Sequence, residues 1–359
     1  MVSESQIDQA GNLYTEGERL ERTVSNEPAI LSTKQRLFRN MDLLKLFLPL
    51  TVELMLTIAV GLADSIIVAT GGEAAVSGVS LVDYIMLLLV LLFSALATGG
   101  SIIAGQYLGN NQMEDARDAA RQSVWFMGMI AILITAAVYF LKSSILQALF
   151  GQISAEVWHH ADAYLSIVAA SIPFIALYHA GAAVFRAMGN SKLPMKVVLL
   201  TGTINVLGSG LCVYGFEMGT IGIAISVLGS RIAAAVIVLA LLSNPHYPLH
   251  ISHTPIHSFQ WPMIKRILRI GVPYGVENSL FQLGRILVLS LVSGFGTEAI
   301  AANAIAGGIV AFEVLPGVAI NMGMTAIIAR CIGAGELEQA KYYSKKILRI
   351  MYGSLIVMN

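Results

Sequence analysis

The chain has 359 residues, 56% of them hydrophobic and 12% charged, against about 25% charged in soluble domains. Lys plus Arg equals Asp plus Glu, so the overall charge carries no signature of nucleic acid or of an acidic partner. Long apolar runs separated by short polar stretches exclude a soluble domain and define an all-α, polytopic membrane protein set in the lipid bilayer.

Residues 1–40 form a polar tail of mixed charge. The apolar run that follows is too long for a cleaved signal and is expected to act as its own insertion signal. Spans are expected at 46–70, 81–107, 122–141, 161–185, 196–215, 219–243, 267–294 and 300–329, and a ninth apolar run begins near Ile347. Alternate connections hold the basic residues. Arg117 and Arg121 lie between spans 2 and 3, Arg186, Lys192 and Lys196 between 4 and 5, and Lys265, Arg266 and Arg269 before span 7. The intervening connections carry only Lys142. This alternation predicts a cytoplasmic N-terminus in the plasma membrane.

Part of the chain occurs twice. Pro49, Val52 and Glu53 recur as Pro273, Val276 and Glu277, 224 positions on (273 less 49). At the same offset Leu108, Gly109, Glu114, Ala116 and Arg117 recur as Ile332, Gly333, Glu338, Ala340 and Lys341. An even number of spans separates equivalent points, so the copies are expected to run parallel, related by an axis along the membrane normal. The implied organisation is a tail (1–40), a six-helix lobe (41–243), a cytoplasmic linker (244–262) and a partial second lobe (263–359). The second copy reaches only the counterpart of Thr135, and a C-terminal truncation is therefore expected.

Four motifs stand in order along the spans. They are Gly61-Leu62-Ala63-Asp64-Ser65, Gly109-Asn110-Asn111 ahead of Ala116-Arg117, Phe185 to Met195 (FRAMGNSKLPM), and Gly271 to Ser279 (GVPYGVENS). Together they resemble the multidrug and toxic compound extrusion (MATE) family from about residue 41 onward. The resemblance implies twelve helices in two six-helix lobes, a central cavity, and antiport of organic, cationic compounds against protons or sodium ions, with no other cofactor. It also implies that Asp64 is a principal ion-coupling carboxylate and that Asn205 stands near it. Many members have an Asp where this chain has Ser209, and a Thr near Val227 and Ser226, which puts a full sodium cage in doubt.

An ionisable side chain at membrane depth is a functional candidate by default. Glu53 and Asp64, eleven residues apart, fall within about 20° of one helical face. Both are candidates for ion coupling, the alternative being a structural carboxylate. Glu277, Asn278, Gln282 and Glu313 are candidates for a substrate cavity, their charge suiting a cationic compound. Glu277 could instead pair with Arg285, and Arg231 with one of the carboxylates. Pro49 offers a point for span 1 to bend, and Gly99-Gly100 and Gly307-Gly308 suit close helix contacts.

His246, His250, His253 and His257 raise metal binding, but Pro245, Pro248 and Pro255 break any single face and favour a solvated linker. Cys212 and Cys331 lack metal spacing and are expected to pack as small hydrophobes. His179 is expected to be a packing residue. No nucleophile triad, phosphate loop or zinc-protease motif is present, so an enzyme is not expected. A lipid-linked oligosaccharide flippase of the same superfamily and a non-transporting remnant remain as rivals, and a monomer is expected.

Overall fold

The computed structural model describes residues 37–150, 154–251, 259–293 and 297–358. From Asn40 onward the described residues build helices joined by short turns. In chain order these are α1 (Asn40–Ala69), α2 (Glu73–Gly109), α3 (Met113–Phe150), α4 (Ala155–Val168), α5 (Ile172–Ala187), α6 (Lys192–Gly210), α7 (Gly219–Leu242), α8 (Trp261–Ser293), α9 (Thr297–Gly333) and α10 (Leu337–Met358). Seven stretches among the described residues are long and apolar enough to cross a membrane: α1, α2, Met113–Gln147, Ala155–Ala187, Lys192–Gly215, α7 and Phe312–Gly333. Along α8, expected as span 7, stand Lys265, Arg266, Arg269, Glu277 and Arg285. Phe140, Leu207 and Leu291 are exposed, as lipid-facing side chains would be.

The helices overrun the expected spans because amphipathic turns continue them beyond the apolar window. Thus α10 begins at Leu337 rather than near Ile347, its first turns carrying a Glu338–Lys341 ion pair of 2.9 Å. Span 4 is two helices. A 3-10 turn, Ala169–Ser171, separates α4 from α5 and ends two residues before Pro173, which has no N–H for a continuing ladder and whose ring would meet the carbonyl four residues back. Pro49, by contrast, lies inside α1.

The duplication is legible in backbone detail. After α2, the amides of Asn110, Asn111 and Gln112 bond to the carbonyls of Gln106, Leu108 and Tyr107. After α9, those of Ala334, Gly335 and Glu336 bond to Arg330, Ile332 and Cys331, the same pattern 224 positions on. Asn111 (φ 58) and Gly335 (φ 74) hold equivalent left-handed positions, as this helix-ending turn requires. The next helix starts with matching ion pairs, Glu114–Arg117 at 2.7 Å and Glu338–Lys341 at 2.9 Å.

In the first copy, α2 packs on α3, α4 and α5, α6 on α1 and α7, and α7 on α4 and α5. The core lies between them, around Val82, Phe93, Leu165 and Ile172. The copies meet reciprocally: α2 against α9, α2 against α8, and α1 against α9. A β-carbon at Gly109 would overlap the Arg330 carbonyl oxygen, and one at Gly333 the Gln106 carbonyl oxygen. Arg330 and Gln106 are themselves 224 apart, so the contact obeys a local two-fold, as isologous contacts do. Gly99 also serves as expected, facing the backbone of Ile267 and Gly271, and Gly100 faces Ser123. Gly307 does not: nothing lies within 4 Å of its β-position.

Candidate ion site in the first lobe

The Asp64 carboxylate stands near the far end of α1, half-buried against α6. Asn205 donates from Nδ2 to Asp64 Oδ2 at 2.6 Å. Ser209 stands one turn further along α6, on the same helical face as Asn205. Asp64 Oδ1, Asn205 Oδ1 and Ser209 Oγ are all buried without a partner among the described residues. Asn205 is 4% and Ser209 0% exposed. Buried polar atoms in folded proteins are normally satisfied, so these three orphan oxygens on Asp64, Asn205 and Ser209 make this the strongest candidate for receiving a donor or a small cation. Ser226 does not join them, since its hydroxyl bonds to Gly222 O at 3.1 Å and approaches Cys212 Sγ at 3.8 Å.

Glu53 has a different setting. Arg186 Nη2 reaches Glu53 Oε1 at 2.5 Å, and the Tyr178 hydroxyl donates to the same oxygen at 3.2 Å. Both charged side chains are buried. Glu53 and Asp64 do face one lobe interior, as their spacing requires, but Glu53 is held by a resident cation whereas Asp64 is held by a neutral amide.

Two further charged groups stand on the helices of the first copy. Arg231 on α7 donates from Nη1 to Ser171 Oγ at 2.7 Å; Ser171, in the 3-10 turn, itself donates to Val168 O at 2.6 Å. No ion pair joins Arg231 to a carboxylate among the described residues. Asp83 on α2 is exposed, with the buried Tyr164 side chain beside it. The sequence reading passed over Asp83, although a carboxylate near the start of an apolar span was signal enough.

Of the cavity candidates, Glu277 is exposed, and Asn278, Gln282 and Glu313 are half-buried on α8 and α9. No ion pair joins Glu277 to Arg285 among the described residues. His250 Nδ1 lies 3.1 Å from Tyr247 O, His246 is exposed beside the Tyr247 ring, and His253 and His257 lie outside the described residues. His179 packs edge-on against Tyr178. Cys331 is buried and Cys212 half-buried, both as free thiols. A cavity of about 260 Å³ opens one turn beyond Asp64, lined by Ile67, Thr70, Glu217 and Thr220 among others.

A duplicated helical membrane protein, with a half-buried carboxylate in one lobe and reciprocal contacts between lobes, belongs to the class built from parallel repeats. The chain is a member of the MatE family, whose sequence profile matches residues 49–210 and 273–359, starting each time at the repeated proline. An uncharacterized transporter, YisQ, of Bacillus subtilis is 24% identical over 306 residues, covering 84% of this chain and 67% of that protein. A probable multidrug resistance protein NorM of Thermotoga maritima is 24% identical over 302 residues, covering 83% and 64%. The chain thus spans about two thirds of the length of these relatives. An outward-facing multidrug resistance MATE family transporter of the MOP superfamily has a TM-score of 0.81 at 19% identity, over 86% of this chain and 68% of that one. A MOP superfamily transporter from Pyrococcus furiosus gives 0.79 at 19% identity, with the same coverage. At that identity the structures establish the shared fold.

Proposed function

We propose that the chain works as a secondary antiporter that exports organic cations in exchange for protons or sodium ions, with Asp64 taking the ion. The observation that carries this reading is the Asp64–Asn205 pair with its three unpartnered oxygens. Oxygen ligands of this kind suit a proton or a small hard cation and not a soft metal. An arriving ion competes with the Asn205 amide for the carboxylate and changes how α1 rests on α6.

That change has a route to the second lobe through α1. Phe47, before Pro49, packs against Gly323 of α9. Glu53, after it, is latched to Arg186 of α5. Pro49 removes a ladder hydrogen bond between the two attachments, which makes it the place for α1 to bend. With the basic turns cytoplasmic, the glycine-sealed end of the lobes faces the cytoplasm in a plasma-membrane monomer. Substrate then binds between the lobes near Glu277, Asn278, Gln282 and Glu313, and ion loading favours its release.

The test is Asp64→Asn in the protein expressed from its natural coding frame. Energised cells loaded with ethidium should lose ion-driven efflux while the variant still inserts in the membrane. Efflux at the unsubstituted rate would overturn the assignment of Asp64.

A further inference from the structure

We propose that the N-terminal turn of α6 and Arg330 of α9 form a binding site for a phosphate group, on the side of the membrane that carries the basic turns, where a bound phosphate joins the two copies. Ser191 precedes Asn205 by fourteen residues of α6, about 20 Å of helix, so the site is separate from the Asp64 carboxylate.

The first half of the site is built by the turn between α5 and α6. The amides of Gly189 and Asn190 bond to the carbonyls of Arg186 and Phe185 at 2.8 and 2.9 Å, and Gly189 takes a φ of 79. Ser191 follows at the N-cap of α6, yet its side chain makes no capping bond. Its hydroxyl is buried without a partner, in a residue 1% exposed. Serine at this position ordinarily accepts from an amide of the first turn. The first bond of the helix runs from Met195 N to Ser191 O at 3.3 Å. Before it, the amides of Lys192 and Leu193 have no backbone partner among the described residues, and Pro194 brings no N–H. The first turn also lacks an acidic residue. A helix of 19 residues thus presents its positive end with neither a capping side chain nor a counter-charge.

The second half comes from the other copy. The Arg330 carbonyl bears on Gly109, which fixes the backbone from which its side chain departs. Arg330 Nη1 lies 3.8 Å from the β-position of Gly189, and nothing else comes within 4 Å of that position. The turn therefore has open room on the side that the guanidinium faces. Arg330 Nε is buried without a partner, and Arg330 enters no ion pair among the described residues. Glu336, in the turn after α9, is exposed and unpaired with it, and Glu53 is taken by Arg186. Lys192 and Lys196 stand exposed on the first turns of α6 and add positive charge. A guanidinium fork set against a helix N-terminus is the chemistry that receives a phosphate, whose oxygens face both groups at once. The phosphate is that of an anionic lipid headgroup or of a dissolved ion.

The measurement is the thermal midpoint, in detergent, of protein purified from its natural coding frame. It is titrated with dioctanoyl phosphatidylglycerol and, separately, with sodium phosphate at constant ionic strength. A saturable rise is expected, since a ligand held by the folded state stabilises it. A rise with the lipid alone assigns the site to a headgroup, and a rise with sodium phosphate as well assigns it to the free ion. Arg330→Gln should weaken the apparent affinity about tenfold, and Arg330→Lys, which keeps the charge without the fork, should weaken it less. Ser191→Asp supplies a resident carboxylate at the helix end. It should raise the midpoint without ligand and abolish the response, whereas a serine that only packs would lose stability on the same change. Lys341→Gln, which removes a surface cation of α10, should respond like the unsubstituted protein. If Arg330→Gln fails to accumulate, the Ser191→Asp pair of readings decides. No rise with either probe, a rise unchanged in Arg330→Gln or Ser191→Asp, or an equal loss in Lys341→Gln overturns the proposal.

Discussion

Gly109 and Gly333, equivalent residues of the two copies, each press against the other helix at the residue where that helix carries Gln106 or Arg330. Neither position has room for a methyl group, because the obstructing atoms are backbone carbonyls that cannot rotate away. The two lobes are therefore in backbone contact at the end carrying the Asn110 and Ala334 turns.

Gly333→Ala should push α2 and α9 apart there and favour opening of that end. A Gln106→Cys reporter, in a background with Cys212 and Cys331 replaced by Ala, should then react with a membrane-impermeant maleimide about five- to tenfold faster in inside-out vesicles, a shift of about 1 kcal/mol. Unchanged labelling would show that the contact does not hold the lobes closed.

Ser209→Asp should place a second carboxylate beside Asp64 and raise sodium affinity about tenfold, since a like charge makes the site more demanding of a cation. Equilibrium binding of radioactive sodium checks this. No gain would mean that Ser209 is not part of the ion's surroundings.

Glu53→Gln and Arg186→Met should each destabilise the protein by about 3–5 kcal/mol, because either leaves a buried charge without its partner. The double substitution should cost less than either single one. Thermal unfolding in detergent provides the comparison, and additive losses would contradict the pairing seen at 2.5 Å.

The turn after each repeat's second helix offers a backbone test. Gly335→Ala should cost about 1 kcal/mol, since φ of 74 is unfavourable for a residue with a β-carbon, whereas Asn111→Gly should be tolerated. Thermal midpoints that move equally for both would refute the equivalence of the two turns.

Much of the architecture was readable from residue pattern. The offset between Pro49 and Pro273 foretold matching turns and ion pairs, because the two stretches keep their glycine, acidic and basic residues at equivalent positions. Asp64 and Asn205 were named as neighbours through the family motif and lie 2.6 Å apart. The break in span 4 was not anticipated, although Pro173 was its visible cause. Hydropathy windows also shortened α10, since they measure transfer into lipid and not helix continuity. Asp83 was overlooked, and Gly307 was expected in a close contact it does not make.

By itself, then, the sequence determined the membrane class and the duplication, which follow from composition and spacing along one chain, while its resemblance to the family pointed to the carboxylate to suspect. Only the tertiary structure decided that Glu53 belongs to Arg186, 133 residues away, that Arg231 rests on Ser171, and that Gly109 meets the Arg330 backbone. Those facts depend on how each helix is rotated and how closely it approaches its neighbours. Side-chain packing and backbone contact set these, and a pattern of apolar residues facing lipid on many sides leaves them open.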